Sequence, residues 1–365
     1  MSLDDIEDAL YTATRAVVGD PQLRTSELIA AIRDRSARYT SDRTKLAKPA
    51  STKADLAARA VFFSVTDAPK IAIPIAELAA QDALPATRPL RVVDLGAGCG
   101  AMSLGLVEAL APADIAITAI DRDRDALGIA LAALRAIAPT VVVTTRVDDA
   151  TSAPIPSCDL VVIGTMLNEL ATDAARLALV ERALSAITDD GAVIIIEPAL
   201  RDTTRALHTL RDALLTRNKV HVFAPCTRQS APCPALADPT DWCHEHRSVG
   251  AAPKLPPRTH ELARLTHLRD DGLKFSYLVL RKAPRATDAW RIVGTPWQQK
   301  GKLEALACGE PGRVTLRLLK RHRAPGNRAI ESVAKGHVVR VEAPLVDERV
   351  EITDATRVEI VFPRT

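Results

Sequence analysis

The sequence predicts an α/β protein built on a mainly parallel sheet with helices on both faces. Three observations carry this. From Leu90 to Pro198, short apolar β-branched runs alternate with amphipathic stretches, as buried parallel strands do with their crossover helices. Before them, residues 1 to about 85 carry apolar side chains at three- and four-residue spacing, with no glycine between Gly19 and Gly96, so a helical region leads into the sheet. Beyond Pro284, brief strand candidates broken by Gly, Pro and charged turns indicate a small barrel or sandwich. The expected organisation is a helical region 1–88, a sheet domain 89–283 with a cysteine-rich insert 224–273, and a small, basic β-rich domain 284–365.

Each element follows from local pattern. SELIAAIRDRSARY (26–39) and ADLAARAVFFSVTDAPKIAIPIAELAAQ (54–81) are amphipathic at helical period, and ATRPL (86–90) is a turn-rich link. LRVVDLG (90–96), IAITAID (115–121), VVVTTRVDD (141–149), CDLVVIG (158–164) and GAVIIIEP (191–198) are the strands. AMSLGLVEALA (101–111), RDALGIALAALRAI (124–137) and DAARLALVERALSAI (173–187) are helices between them. VHVFAPC (220–226) and GLKFSYLVLRKA (272–283) add a sixth and a seventh strand. The long stretch between those two is rich in Pro, His and polar residues, with little apolar surface of its own, so it calls for an external staple or a function. AWRIVGTP, LEALACG, RVTLRLLKR, GHVVRVEAP and RVEIVFP are the later strand candidates.

Composition narrows the function classes. An apolar share of 47% over 365 residues supports a sizeable core. No apolar run of about 18 residues occurs, so no membrane span is expected. The acidic start MSLDDIEDALYTATRAVV resembles neither a secretory signal nor a mitochondrial presequence, and a cytoplasmic location is expected. Six cysteines in a reducing compartment point to thiols or metal ligands rather than disulfides. Net charge is only +3, yet Lys254–Arg340 holds 19 Lys and Arg against 7 Asp and Glu, the kind of excess that phosphate-backbone binding uses. RVTLRLLKRHR puts Arg313, Arg317, Lys320, Arg321 and Arg323 on a strand and its turn, as candidate RNA contacts. With 3 Trp, 3 Tyr and 5 Phe, base stacking would be limited and sequence preference weak.

VVDLGAGCGAMSLGL (92–106) lies where a strand gives way to a helix, with Gly96, Gly98 and Gly100 following Asp94. A dinucleotide site would carry its third glycine one residue later. The tighter spacing resembles the first motif of class I S-adenosylmethionine-dependent methyltransferases. Asp121 and Asp148 end the next two strands, where open α/β sheets bind ligands. They are candidates for the ribose hydroxyls and the adenine amino group; capping the following helices is their ordinary role. GTMLNEL (164–170) lacks the Asp/Asn-Pro-Pro-aromatic motif of amino-group methyltransferases acting on bases, and the cysteine of a cytosine C5 mechanism. Asn168 and Glu169 could orient a substrate or cap a helix, so no catalytic residue is assigned.

Cys226, Cys233 and Cys243 crowd one segment, without the paired C-x2-C spacing of zinc knuckles. With His244 or His246 they would satisfy zinc; with the distant Cys308 they would offer four thiolates, as a [4Fe–4S] cluster takes. Cys99 and Cys158 are assigned to packing.

DLGAGCGA (94–101), IEP (196–198), the APC…CP…DWCH…R run (224–247) and FSYLVLRK (275–282), with Cys308 downstream, together resemble a known family. It is the methyltransferase-like group associated with the small ribosomal subunit, best known from mitochondria and also present in bacteria. The resemblance implies a class I (Rossmann-like) methyltransferase fold, S-adenosylmethionine, and a [4Fe–4S] cluster on Cys226, Cys233, Cys243 and Cys308. It further implies rRNA contact during assembly of the small subunit or translation, by a chain monomeric away from the ribosome. The family tends to have Pro-His after its first cysteine, where Thr227 and Arg228 stand here, and an aromatic where Glu245 stands. Two other readings remain: an active methyltransferase on rRNA or a small molecule with a purely structural metal, and a non-catalytic zinc protein that binds nucleic acid.

Overall fold

A computed structural model of the chain describes residues 2–40, 52–111, 114–217, 220–248, 250, 252–269, 272–285 and 288–362. The expected helical region contains α1 (Leu3–Val18) and α2 (Thr25–Thr40); its stretch 41–51 lies outside the described residues. Ser2 and Asp5 cap α1 reciprocally, Asp5 N–H donating to Ser2 Oγ at 3.3 Å and Ser2 N–H to Asp5 Oδ2 at 2.7 Å. A continuous helical run follows: α3 (Lys53–Ala58), a π-helical turn over Arg59–Ser64, α4 (Val65–Asp67), a 3-10 turn over Ala68–Ile71, and α5 (Ala72–Ala79).

The first sheet comprises β1 (Leu90–Leu95), β2 (Ile115–Asp121), β3 (Val142–Val147), β4 (Cys158–Gly164), β5 (Ile187–Pro198), β6 (His221–Ala224), β7 (Glu245–Arg247) and β8 (Leu273–Arg281). Their order is β3-β2-β1-β4-β5-β8-β6, with β7 on β8. β1 to β5 pair in parallel, whereas β8 runs antiparallel to β5, β6 and β7. This is the class I methyltransferase arrangement, a Rossmann-like parallel sheet completed by one late antiparallel strand. Helices α6 (Ala101–Leu110), α7 (Arg124–Ile137), α8 (Asp173–Ala186), α9 (Arg201–Thr216) and α10 (Pro257–Thr266) cover it. Strand alternation divides the core: Val92, Ile117, Val162 and Ile194 face α1, α3, α6 and α7, while Val93, Val161, Ile163 and Ile195 face α8 and α9. β7 escapes sequence reading because it is three polar residues, Glu-His-Arg.

The second sheet holds β9 (Trp290–Ile292), β10 (Trp297–Gln299), β11 (Lys302–Gly309), β12 (Gly312–Leu319), β13 (Val338–Val341), β14 (Leu345–Val346), β15 (Arg349–Ile352) and β16 (Val358–Phe362). The expected barrel or sandwich is instead one sheet with an open pairing path, β14-β15-β12-β11-β9-β13-β16, and β10 on β11. Its core is Ile292, Leu316, Leu318, Val339, Val350 and Ile352, with Ile330 from the 3-10 segment Pro325–Ser332. β10, β14 and β15 were unread because two to four residues cannot show an alternation.

One buried arginine joins these parts. Arg291 of β9 donates to Glu77 Oε2 of α5 at 2.6 Å, to Pro225 O at the start of the cysteine segment at 2.7 Å, and to Gly336 O at 2.6 Å. Tyr277 of β8 donates to the other Glu77 oxygen at 2.5 Å, and Glu77 is fully buried. Arg291→Met would leave that carboxylate in the interior without its counter-charge, at a cost of about 3–5 kcal/mol. A correspondingly lower urea midpoint is expected; an unchanged midpoint would contradict the lock.

Candidate cofactor cavity and cysteine cluster

The turn after β1 is shaped by left-handed glycines: Gly96 and Gly98 have φ of 72° and 53°. A Cβ on Gly96 would meet Met166 Sδ at 2.8 Å, whereas one on Gly98 would meet only the tip of Arg59, at 3.3 Å. Backbone at Gly98 is therefore open to close approach by a ligand. Asp121 pins this loop from the end of β2, its Oδ2 accepting Gly98 N–H and its Oδ1 accepting Asp123 N–H, both at 2.8 Å. Asp94 is buried beneath it; Ser103 Oγ donates to its Oδ2 at 2.6 Å, and its Oδ1 has no partner among the described residues. Gly100 opens α6 and packs against Ala130 of α7.

Asp94, Gly96, Gly98 and Asp121 border a cavity of about 850 Å³, which Gly100 does not line. Such a volume, with a buried carboxylate oxygen lacking a donor, fits a nucleoside-sized ligand with an amino group. Sequence reading missed the part of its wall that the N-terminal helices supply. Arg35, Arg38, Tyr39, Arg59 and Phe63, all from the N-terminal helices, line it. Arg59, on the π-helical turn, pairs with Asp123 Oδ2 at 2.6 Å. Nothing local marks these residues as cavity-forming; they meet the sheet only through packing of distant segments.

Asp148 turns away from the cavity. Its Oδ2 accepts Arg146 Nη2 at 3.1 Å, and the lining residues at this strand end are Asp149, Ala150 and Thr151. Asn168 positions its neighbours, donating to the buried Glu197 Oε2 at 2.7 Å while Leu167 N–H holds the other oxygen at 2.8 Å. Burial raises Glu197 to about 7. Glu169 lines the cavity, and burial raises its carboxyl above the usual range.

The four expected ligand cysteines share one neighbourhood, although they come from both sheets. Cys226, Cys233 and Cys243 follow β6, and Cys308 is the penultimate residue of β11, opposite Arg313. Burial, with the neighbouring Cys226 adding to it, pushes the thiols of Cys233, Cys243 and Cys308 up to about 12. Cys99 and Cys158 lie apart, in the glycine loop and at the start of β4. Burial, with Lys335, His246 and Lys274 nearby, lowers the His244 imidazole to about 4. Among the described residues no three His, Cys, Asp or Glu side chains form a ready metal cage.

The cysteine segment is not without its own supports, contrary to its sparse apolar content. Arg205 Nη1 of α9 donates to the carbonyls of Ala235, Asp238 and Asp241 at 3.0, 2.7 and 2.8 Å. Arg211 Nη2 donates to Arg228 O at 2.6 Å and Ser230 O at 3.3 Å. The residues that depart from the family pattern also contribute. Thr227 Oγ1 donates to Cys308 O at 3.0 Å and Arg228 to Glu310 O, tying the segment to β11.

The five candidate RNA contacts do not form one free patch. Arg313 pairs with Asp241 and faces Cys243 and Cys308. Arg317 pairs with Glu304 at 2.8 Å and Glu351 at 3.3 Å, and Arg323 with Glu331 at 2.8 Å. Lys320 and Arg321 are exposed and have no carboxylate partner among the described residues.

Residues 67–337 match the family described as mitochondrial small ribosomal subunit Rsm22. The chain belongs to the Rsm22 family. The matched interval contains the glycine loop, the four cysteines and the basic strand. No curated protein matches the sequence. Among solved structures, magnesium protoporphyrin IX methyltransferase from Synechocystis with bound S-adenosylmethionine is 14% identical, covering 70% of this chain and 97% of that one at a TM-score of 0.38. The plantazolicin methyltransferase BpumL with S-adenosylhomocysteine is 13% identical, over 72% and 99%, at 0.38. Mitomycin 7-O-methyltransferase is 16% identical, over 74% and 72%, at 0.37. The Rsm22 description is mitochondrial, where sequence reading expected a cytoplasmic chain. No helix among the described residues is long and apolar enough to cross a membrane.

Burial raises the Asp94 carboxyl to about 6, against about 3.9 when unfolded. Between those values the folded chain keeps a proton that the unfolded chain has released, so this group makes stability fall as pH rises. Asp94→Asn removes that dependence. Relative to wild type, its unfolding free energy should rise by on the order of 2–3 kcal/mol between about pH 4 and pH 6. Parallel stability curves would show Asp94 already ionised in the folded chain.

Proposed function

We propose that this Rsm22-family protein binds S-adenosylmethionine in the cavity, contacts small-subunit rRNA, and acts in assembly of the small ribosomal subunit or in translation. One observation carries the reading: the Rsm22 match takes in the cavity loop, the cysteines and the basic strand together. The cofactor would lie against Gly96 and Gly98, while Gly100 serves the packing of α6 on α7. Asp121 would take its ribose hydroxyls, the orphaned Asp94 oxygen its amino group directly or through water, and Asp149 or Ala150 its adenine in place of Asp148. When bound it supplies an electrophilic methyl group.

A [4Fe–4S] cluster is the group that four soft thiols suit best. Arg211 beside Cys226 and Cys233, with Arg313 and Lys335 beside Cys243, would offset the negative charge of a thiolate-held cluster. Its role would be to bond the insert to β11. Zinc on the same thiols is the alternative, and metal analysis of anaerobically purified protein separates the two. For rRNA, exposed Lys320 and Arg321 are the better contacts, with Arg313 and Arg317 supporting the sheet.

Gly98→Val should abolish cofactor binding, and Asp121→Ala should weaken it by about 1–3 kcal/mol. Calorimetry returning wild-type affinity for both would refute the cavity assignment. Cys308→Ser should lose iron and weaken rRNA binding, whereas Cys158→Ser keeps both. rRNA affinity should fall steeply with added salt, and Lys320→Ala with Arg321→Ala should flatten that slope. Stoichiometric zinc without iron, or salt-independent binding, would overturn these assignments.

A further inference from the structure

One aromatic ring of the second sheet is turned out of its core. Trp297 of β10 is 38% exposed, while every other aromatic ring among the described residues is buried or half-buried. The strand register accounts for this. Trp297 pairs with Glu304 of β11, and Glu304 with Arg317 of β12. Ala305, Leu316 and Leu318, each one residue away along its strand, fill the core. Directly opposed residues share a face, so Trp297, Glu304 and Arg317 form a row on the side away from that core.

The exposed ring is held in place. Its Nε1–H donates to Glu304 Oε2 at 3.1 Å. Glu304 is buried, and it also takes Lys302 Nζ at 2.7 Å and Arg317 Nε at 2.8 Å. Two cations therefore neutralise the carboxylate beside the ring, so it does not repel a phosphate. Gln299 stands on the same side of β10 as Trp297, two residues on. At the end of this strand, Lys320 N–H donates to Gly301 O at 2.8 Å, which brings the turn Lys320–His322 against the turn joining β10 to β11. Exposed Lys300, Lys320 and Arg321 thus gather at the corner where the strand of Trp297 ends.

We propose that Trp297 is a stacking platform for one unpaired base of RNA, whose flanking phosphates are met by Lys300, Lys320 and Arg321. This rests on the rRNA reading above and narrows it to a single-stranded segment. An indole face binds a base through its π surface, so any of the four bases is accepted. A paired base inside an A-form helix has both faces covered by its neighbours and is not available to the ring. Because Glu304 orients the indole beforehand, little ordering is left to be done on capture. Gln299 offers an amide that both donates and accepts, which suits the edge of a stacked base. A chain poor in aromatics thus needs only one exposed ring to tell single strands from duplex.

The test measures binding of the full chain to a single-stranded RNA of about twelve nucleotides, and to a duplex of that length, over a range of salt. Trp297→Ala should weaken single-strand binding by about tenfold and leave duplex binding and the salt slope unchanged. Trp297→Phe keeps a flat ring and should restore most of the loss. Lys300→Ala with Lys320→Ala and Arg321→Ala should instead flatten the salt slope. A 5-iodouridine in the single strand should photocrosslink to Trp297 of the wild-type chain, a readout that stands even if Trp297→Ala lowers the thermal midpoint. Small-subunit proteins freed of RNA should not compete; competition would give this corner to a protein partner and overturn the proposal. An equal loss on duplex, or a crosslink elsewhere, would do the same. Single-strand affinity unchanged in Trp297→Ala, with a steep salt slope, would remove the platform and leave rRNA contact standing. If wild type binds neither RNA, the rRNA reading itself fails and the platform falls with it.

Discussion

The buried charge cluster of Arg291, Glu77 and Tyr277 is the constraint on which the rest of the architecture depends. A carboxylate and a guanidinium withdrawn from water are unfavourable alone, and are tolerated only when each finds its partners. Here the partners belong to four different parts of the chain: α5, β8, the start of the cysteine segment and the second sheet. The cluster can be satisfied only when all four are assembled, so it fixes their relative placement. Apolar packing alone, being non-directional, would leave more latitude.

That placement connects the two candidate sites. The same N-terminal helical region that supplies Glu77 also supplies Arg35, Tyr39 and Arg59 to the cavity. The same sheet that supplies Arg291 also supplies Cys308 to the cysteine cluster. One hub therefore holds both the outer wall of the cavity and the fourth cysteine in register with the methyltransferase core.

What the sequence disclosed was local. The glycine turn, the seven longer strands of the first sheet and the cysteine spacing each occupy a few neighbouring residues whose pattern follows from backbone geometry. What it concealed was long-range. Tyr39 reaches Glu169 across 130 positions, and Arg35 in α2 is indistinguishable from any solvated helical arginine until α3 presents Asp55 to it. Arg205 and Arg211 look like surface charge on α9, yet they hold the carbonyls of the cysteine segment. At the end of β3 the two consecutive aspartates differ only in direction, which pairing geometry settles: Asp148 faces Arg146 and Asp149 the cavity.

The position of β8 bears on how the protein is made. It lies between β5 and β6 in the sheet, though it is the last of the eight strands in the chain. As the polypeptide leaves the ribosome, the parallel half from β1 to β5 can form early, since its pairings require only what has already emerged. β6 cannot join it, because its partner in the sheet is β8. The cysteine segment between them therefore waits, tethered at one end, until β8 arrives and inserts as a central strand. Cys308 emerges only afterwards. Translation itself thus sets a sequence in which the parallel half of the first sheet is complete before the thiols are gathered, and any cluster would be received by a nearly finished protein.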